Sequence, residues 1–193
     1  MMSVENRQSA HEAARRLATM NFVLPFDGVL FDWSGTLVAD PVPGERLAWA
    51  LRCLGRAHGS PDVDSLLARL AGARLLPDVP FVLKALHEAG VGVVVISDIH
   101  LDLRPLLARQ GVGDLIDGYA LSFEEGVEKP DPRLFGVALS RLGTRADRTL
   151  MVGDLAAKDG GAANIGITTL ILPRQSAHPD RPRLDPVLRI ANP

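Results

Sequence analysis

Apolar residues along this chain fall into short runs separated by polar turns, and their period changes in a regular way. "FDGVLFD" (26–32) is an apolar stretch ending at Asp32, the pattern of a short buried strand. "VGVVVIS" (91–97) is a β-branched run ending at Ser97, and "TLMVGD" (149–154) ends at Asp154. "GYALS" (118–122) and "ITTLIL" (167–172) predict two further strands, the first of them weak. Between these runs the spacing turns helical. "DVPFVLKALHEAG" (78–90) predicts a helix stopped by Gly90. "LDLRPLLARQG" predicts a short helix broken or begun near Pro105, and "PRLFGVALSRLG" (132–143) a longer one. "AAKDGGAANIG" (156–166) predicts a Gly-rich helix. Strand and helix thus alternate after residue 78, which predicts an α/β fold with a mostly parallel sheet and helices on both faces.

Three segments stand outside this alternation. Residues 1–21 are polar with scattered Ala and Leu, an N-terminal arm that is either a loose helix or partly disordered. Residues 38–76 interrupt the alternation just after the first strand. Leu47, Ala50, Leu51 and Leu54 have helical spacing there, and "DVDSLLARLAGA" opens with Asp62 or Asp64 as a cap residue. Pro41, Pro43, Pro61 and Pro77 punctuate the block. The prediction is a small helical cap inserted between core segments 22–37 and 77–173. Residues 174–193 form a Pro-rich tail, expected to be extended.

Composition narrows the function classes. With 193 residues, the chain can build one domain with a sizeable core. Its 47% apolar and 23% charged residues are those of an ordinary soluble globular protein. The net charge of −2 gives no basic field for nucleic acid, and no polybasic cluster favours an anionic membrane surface. The single Cys53 excludes an internal disulfide framework and a Cys-based zinc site. No apolar run approaches a membrane span, and the N-terminus lacks the apolar core of a signal peptide. A cytoplasmic protein is the expectation.

The polar residues that end the strands point to chemistry. Asp32, Ser97 and Asp154 each close a predicted strand. In an open α/β sheet, ligands bind at the carboxyl ends of strands. Lys129, in "EKPDP", follows the weak strand and can join them. Any one of the four is ordinarily a cap or turn residue, but together and in this order they describe a site. No G-x-G-x-x-G follows a strand and no Walker A lysine motif is present, so a nucleotide cofactor is disfavoured.

Four of these stretches resemble the motifs of the haloacid dehalogenase-like superfamily of hydrolases, most of which are phosphatases. "FDWSGTL" is similar to its first motif, an Asp nucleophile in a Gly-Thr turn. "VVISD" resembles the second, "EKPDP" the third, and "VGDLAAKDGGAANIG" the fourth, over residues 26–172 in all. The resemblance implies a Rossmann-like three-layer sandwich and an aspartyl-phosphate formed on Asp32. Both the attacking carboxylate and phosphate are anionic, so a cation is needed, and Mg²⁺ takes oxygen ligands. Asp32, Asp154 and the carbonyl of Ser34 are the implied ligands, with Asp159 a further ligand or an acceptor behind them. Ser97 would bond a phosphoryl oxygen, and Lys129 would neutralise charge and hold Asp32 ionised. Ser34, Gly35, Thr36 and Asp98 complete the expected substrate contacts. The implied partner is a small phosphorylated substrate or a phosphorylated macromolecule. A cap this small covers the site incompletely, which leaves room for a partner subunit and makes a homodimer one expected state.

Ser34 departs from the family pattern. Its phosphatases usually carry a second Asp two residues after the nucleophile, as acid and then base, worth about 100- to 10,000-fold. A hydroxyl is a poor substitute near neutral pH. The first expectation is a slow or specialised phosphatase, with Asp98 and His100 as nearby proton carriers. The second is C–P bond cleavage, since "DWSGT" is similar to the "DWAGT" of phosphonoacetaldehyde hydrolases. Those enzymes need a cap lysine, and Lys84, Lys129 and Lys158 all lie outside residues 38–76. The third is dehalogenation, which needs no cation and sits poorly with Asp154 and Asp159. A binding or regulatory protein on the same fold is the alternative to an enzyme. Trp49 and Phe81 could stack on a substrate, although packing suits them better.

Overall fold

The computed structural model describes residues 25–38, 74–99, 102–173 and 182–190. The expected arm and almost all of the expected cap lie outside the described residues, as do Trp49 and His100. Five strands form one all-parallel sheet: β1 (Gly28–Phe31), β2 (Gly92–Ser97), β3 (Gly118–Leu121), β4 (Thr149–Gly153) and β5 (Thr168–Ile171). Among the described residues six α-helical segments accompany it: α1 (Val79–Glu88), α2 (Arg104–Arg109), α3 (Ser122–Glu125), α4 (Pro132–Leu142), α5 (Ala156–Asp159) and α6 (Asp185–Ile190).

The strand order is β3-β2-β1-β4-β5. Phe31 of β1 lies opposite Val95 of β2 on one side and Val152 of β4 on the other. The chain runs outward from β1 through β2 and β3, then returns to β4 on the far side of β1. That reversal opens a crevice at the carboxyl ends of β1 and β4, where α/β sheets bind ligands.

Side chains alternate between the two faces of the sheet with the strand period of two. Val29, Phe31, Val93, Val95, Leu150 and Val152 join one apolar cluster. Leu30, Val94, Ile96 and Met151 join a second. α1 covers the first with Val79, Val82, Leu83 and Leu86, an apolar stripe at helical spacing. α4 covers the second with Leu134, Phe135 and Ala138. Each large buried aliphatic contributes about 1.5–3 kcal/mol relative to exposure. α4 starts sharply because the Asp131 side chain accepts from Arg133 N and Pro132 opens the first turn. The three layers are those of a Rossmann-like fold.

Three local expectations change. The weak strand ends at Leu121, and Ser122 opens α3 while its hydroxyl donates to Ile99 O at 3.2 Å. The Gly-rich helix is a single α turn, α5, followed by 3-10 helix over Gly160–Ile165. Two successive glycines have little preference for the α-helix. The tail is not wholly extended. Residues 185–190 form α6, with Pro186 in its first turn, where the missing N–H costs nothing. Leu184 and Val187 are fully buried in the cluster that α1 covers.

Candidate active site

The β1 ladder carries Asp32 to the crevice: its backbone N donates to Val152 O at 2.9 Å. A tight turn follows. Trp33 O accepts from Leu37 N at 3.0 Å and from Val38 N at 3.1 Å, and Gly35 N donates to Val38 O at 2.9 Å. Gly35 has φ +80°, and a Cβ there would lie 2.2 Å from Asp154 Oδ2. Only glycine lets this turn lie against the second carboxylate. Thr36 is fully buried, with Oγ1 3.5 Å from Asp32 Oδ2.

Lys129 reaches the same place from the loop between α3 and α4. Its Nζ lies 2.5 Å from Asp32 Oδ1 and 2.6 Å from Asp159 Oδ1. Asp159, in α5, is 1% exposed. Its Oδ1 takes Lys129, and its Oδ2 accepts from Asp154 N at 3.0 Å and Leu155 N at 2.9 Å. A Cβ on Gly153 would sit 2.2 Å from that same Oδ2, so the end of β4 must be bare.

Oxygens of Asp32, Asp154 and Asp159 lie within 4.8 Å of one another. Three carboxyl groups thus crowd around one ammonium. Burial pushes the Asp32 carboxyl up to about 7 against the pull of Lys129, and Asp159 and Asp154 add to the push. Burial also opposes the charge on Lys129, but Asp32 and Asp159 outweigh it and hold the ammonium well above the ordinary lysine range. An all-oxygen cluster of carboxyl groups fits a hard divalent cation such as Mg²⁺.

The structure brings together Asp32, Gly35, Thr36, Lys129, Asp154 and Asp159. Ser97 is buried at the end of β2, two residues past Val95, the partner of Phe31. Ser34 is half-buried and bridges to Val38. Asp98 is engaged elsewhere. Its Oδ1 accepts from Lys129 N at 2.7 Å, and its Oδ2 lies 2.9 Å from Lys158 Nζ. It braces the Lys129 loop rather than joining the carboxylates. Lys84 is exposed and pairs with Glu88 at 3.7 Å. Phe81 is half-buried and packs on the first cluster.

Sequence reasoning missed Arg183 and Asp78. Both Arg183 N and Leu184 N donate to Asp78 Oδ2, the latter at 2.5 Å. The Arg183 guanidinium donates through Nη1 to Gly35 O and through Nη2 to Leu172 O at 2.8 Å. The signal was present in "RLDPVLRI": an Asp-Pro helix start flanked by Leu184, Val187 and Leu188.

A family model described as a haloacid dehalogenase-like hydrolase matches residues 53–166, more than half of the chain. The chain belongs to that family of hydrolases. Among characterised proteins it resembles the ribulose-1,5-bisphosphate 5-phosphatase of Halopiger xanaduensis, at 35% identity over 68% of this chain and 51% of that one. It also resembles (S)-2-haloacid dehalogenase 4A of Burkholderia cepacia, at 27% identity over 78% of this chain and 68% of that one. It therefore spans only about half the length of the first of these relatives. A crystal structure of a HAD phosphatase from Thermococcus onnurineus shares the fold, with TM-score 0.59 and 22% identity over 78% of this chain and 87% of that one. Among the described residues no helix is long and apolar enough to cross a membrane.

Proposed function

We propose that this chain is a Mg²⁺-dependent hydrolase of phosphate monoesters that works through an aspartyl-phosphate on Asp32. The observation that carries the reading is the placement of Asp32 at the crevice, with Lys129 2.5 Å from one oxygen and two more carboxylates beside it. Similarity to a protein named as a sugar bisphosphate phosphatase supports a small phosphorylated substrate.

Asp32, Asp154 and the Ser34 carbonyl would hold the cation, with Asp159 behind them as acceptor for Lys129 and the 154–155 amides. When bound, Mg²⁺ would offset the negative charge of the carboxylates and let an anionic phosphate approach. Lys129 fixes Asp32 Oδ1, leaving Oδ2 to attack phosphorus. The P–O bond to the leaving group breaks as the P–O bond to Asp32 forms, and the leaving oxygen takes a proton from solvent water. Water then attacks the same phosphorus, restoring the Asp32 carboxylate and releasing inorganic phosphate. Ser97 and Thr36 would supply donors to the phosphoryl oxygens.

Ser34 sets the pace of both steps. No carboxylic acid stands at that position to protonate the leaving group or to activate water. Substrates whose leaving oxygen is weakly basic suit such a site, and hydrolysis of the aspartyl-phosphate is the slow half. Lys84 and Lys158 are paired with Glu88 and with Asp98 and Glu128, an arrangement unlike the Schiff-base chemistry of C–P cleavage.

Hydrolysis of p-nitrophenyl phosphate tests the reading, because its leaving group needs little protonation. Release of p-nitrophenol that requires Mg²⁺ and disappears in Asp32→Asn is expected. Release that is indifferent to Asp32→Asn would refute it.

A further inference from the structure

We infer that Arg183 is a positioning residue for the Asp32 turn, and that the segment carrying it is a built-in part of the active site. The inference rests on the proposed hydrolase reading for its kinetic readout alone. Its basis is a set of contacts that converge from three distant parts of the chain.

Arg183 is 7% exposed, an unusual place for a guanidinium unless its donors are used. Nη1 donates to the carbonyl of Gly35, the residue whose backbone lies against Asp154. Nη2 donates to Leu172 O at 2.8 Å. Leu172 N in turn donates to Gly153 O at 2.8 Å, and Gly153 directly precedes Asp154. The planar fork therefore ties the turn after Asp32 to the strand end that carries Asp154. An arginine can do this because its donors leave one rigid plane in different directions, and a lysine cannot hold both carbonyls in that geometry.

The backbone of the same segment is anchored separately. Asp78 Oδ2 accepts from Arg183 N and Leu184 N, and Asp78 is the residue before α1. Leu184 and Val187 are fully buried against the cluster that α1 covers. Side-chain burial holds the segment down, and the guanidinium then reaches across to Gly35. The Gly35 carbonyl is one peptide away from the Ser34 carbonyl proposed as a cation ligand. A shift of the turn therefore moves both the nucleophile's surroundings and a ligand.

The test compares Arg183→Met and Arg183→Lys with Leu134→Ala, a buried residue on the opposite face that reports general loss of stability. Assays are run below the melting temperature of every variant. Arg183→Met is expected to lower kcat roughly 10- to 100-fold with KM changed little, since small misplacements of reacting groups have that effect. Arg183→Lys should recover part of the loss, and Leu134→Ala should keep kcat. Amide hydrogen exchange supplies a readout independent of turnover: Leu37 and Val38 N–H, which close the turn, should exchange faster in both Arg183 variants but not in Leu134→Ala. Should Arg183→Met not fold, Arg183→Lys carries the test. Unchanged kcat in the Arg183 variants, or unchanged exchange at Leu37 and Val38, would overturn the inference. If the wild type shows no turnover, the hydrolase reading fails, and the exchange result alone decides whether Arg183 holds the turn.

Discussion

Lys129 Nζ lies between Asp32 Oδ1 at 2.5 Å and Asp159 Oδ1 at 2.6 Å, and all three side chains are buried. Removing the ammonium strands two carboxylates in a site already rich in negative charge. Lys129→Met should therefore abolish turnover and destabilise the fold by about 3–5 kcal/mol, the range for breaking a buried ion pair. Urea unfolding beside a turnover assay checks both. Wild-type stability in this variant would mean that the pair is not formed in solution.

Gly35 cannot carry a side chain without disturbing Asp154. Its φ of +80° is strained for any other residue, and a Cβ would meet Asp154 Oδ2 at 2.2 Å. Gly35→Ala should lose about 1–3 kcal/mol of stability and a larger share of activity, roughly 100-fold in kcat. Thermal unfolding and steady-state kinetics on one preparation separate the two losses.

Cation binding should be visible without catalysis. At Mg²⁺ concentrations about 100 times its Kd, stability should rise by about 2.7 kcal/mol, and EDTA should reverse the gain. Asp154→Asn should remove most of this response while leaving the fold intact. A denaturant midpoint indifferent to Mg²⁺ in the wild type would argue against the cation.

Ser34→Asp should raise turnover at least about tenfold, since a positioned acid–base group can supply about 100- to 10,000-fold and an introduced one captures part of that. The gain should be larger for alkyl phosphates than for p-nitrophenyl phosphate, whose leaving group needs less help. Equal or lower turnover on both would show that Ser34 is not the limiting feature.

The sheet and the positions of Asp32 and Asp154 were legible in the sequence because they rest on local pattern, whereas Asp159 was expected only through the family resemblance. Phe31, Ser97 and Gly153 end apolar runs, and Asp32 and Asp154 follow directly where strands deliver ligands. The contacts of Asp98 were not legible, since its partner Lys129 lies 31 residues along the chain and Lys158 lies further still. The same is true of Arg183, whose acceptor Gly35 is 148 residues distant. The prolines of the tail masked the weaker apolar spacing of Leu184, Val187 and Leu188, which docking against α1 turns into a helix.

The most direct measurement is the mass of the protein and its peptides after rapid acid quench of a reaction with p-nitrophenyl phosphate and Mg²⁺. With Ser34 slowing attack by water, one phosphoryl group should accumulate on the peptide containing Asp32 and be absent from Asp32→Asn. Product release with no phosphorylated protein at any time, or a phosphoryl group on another peptide, would contradict an Asp32 nucleophile.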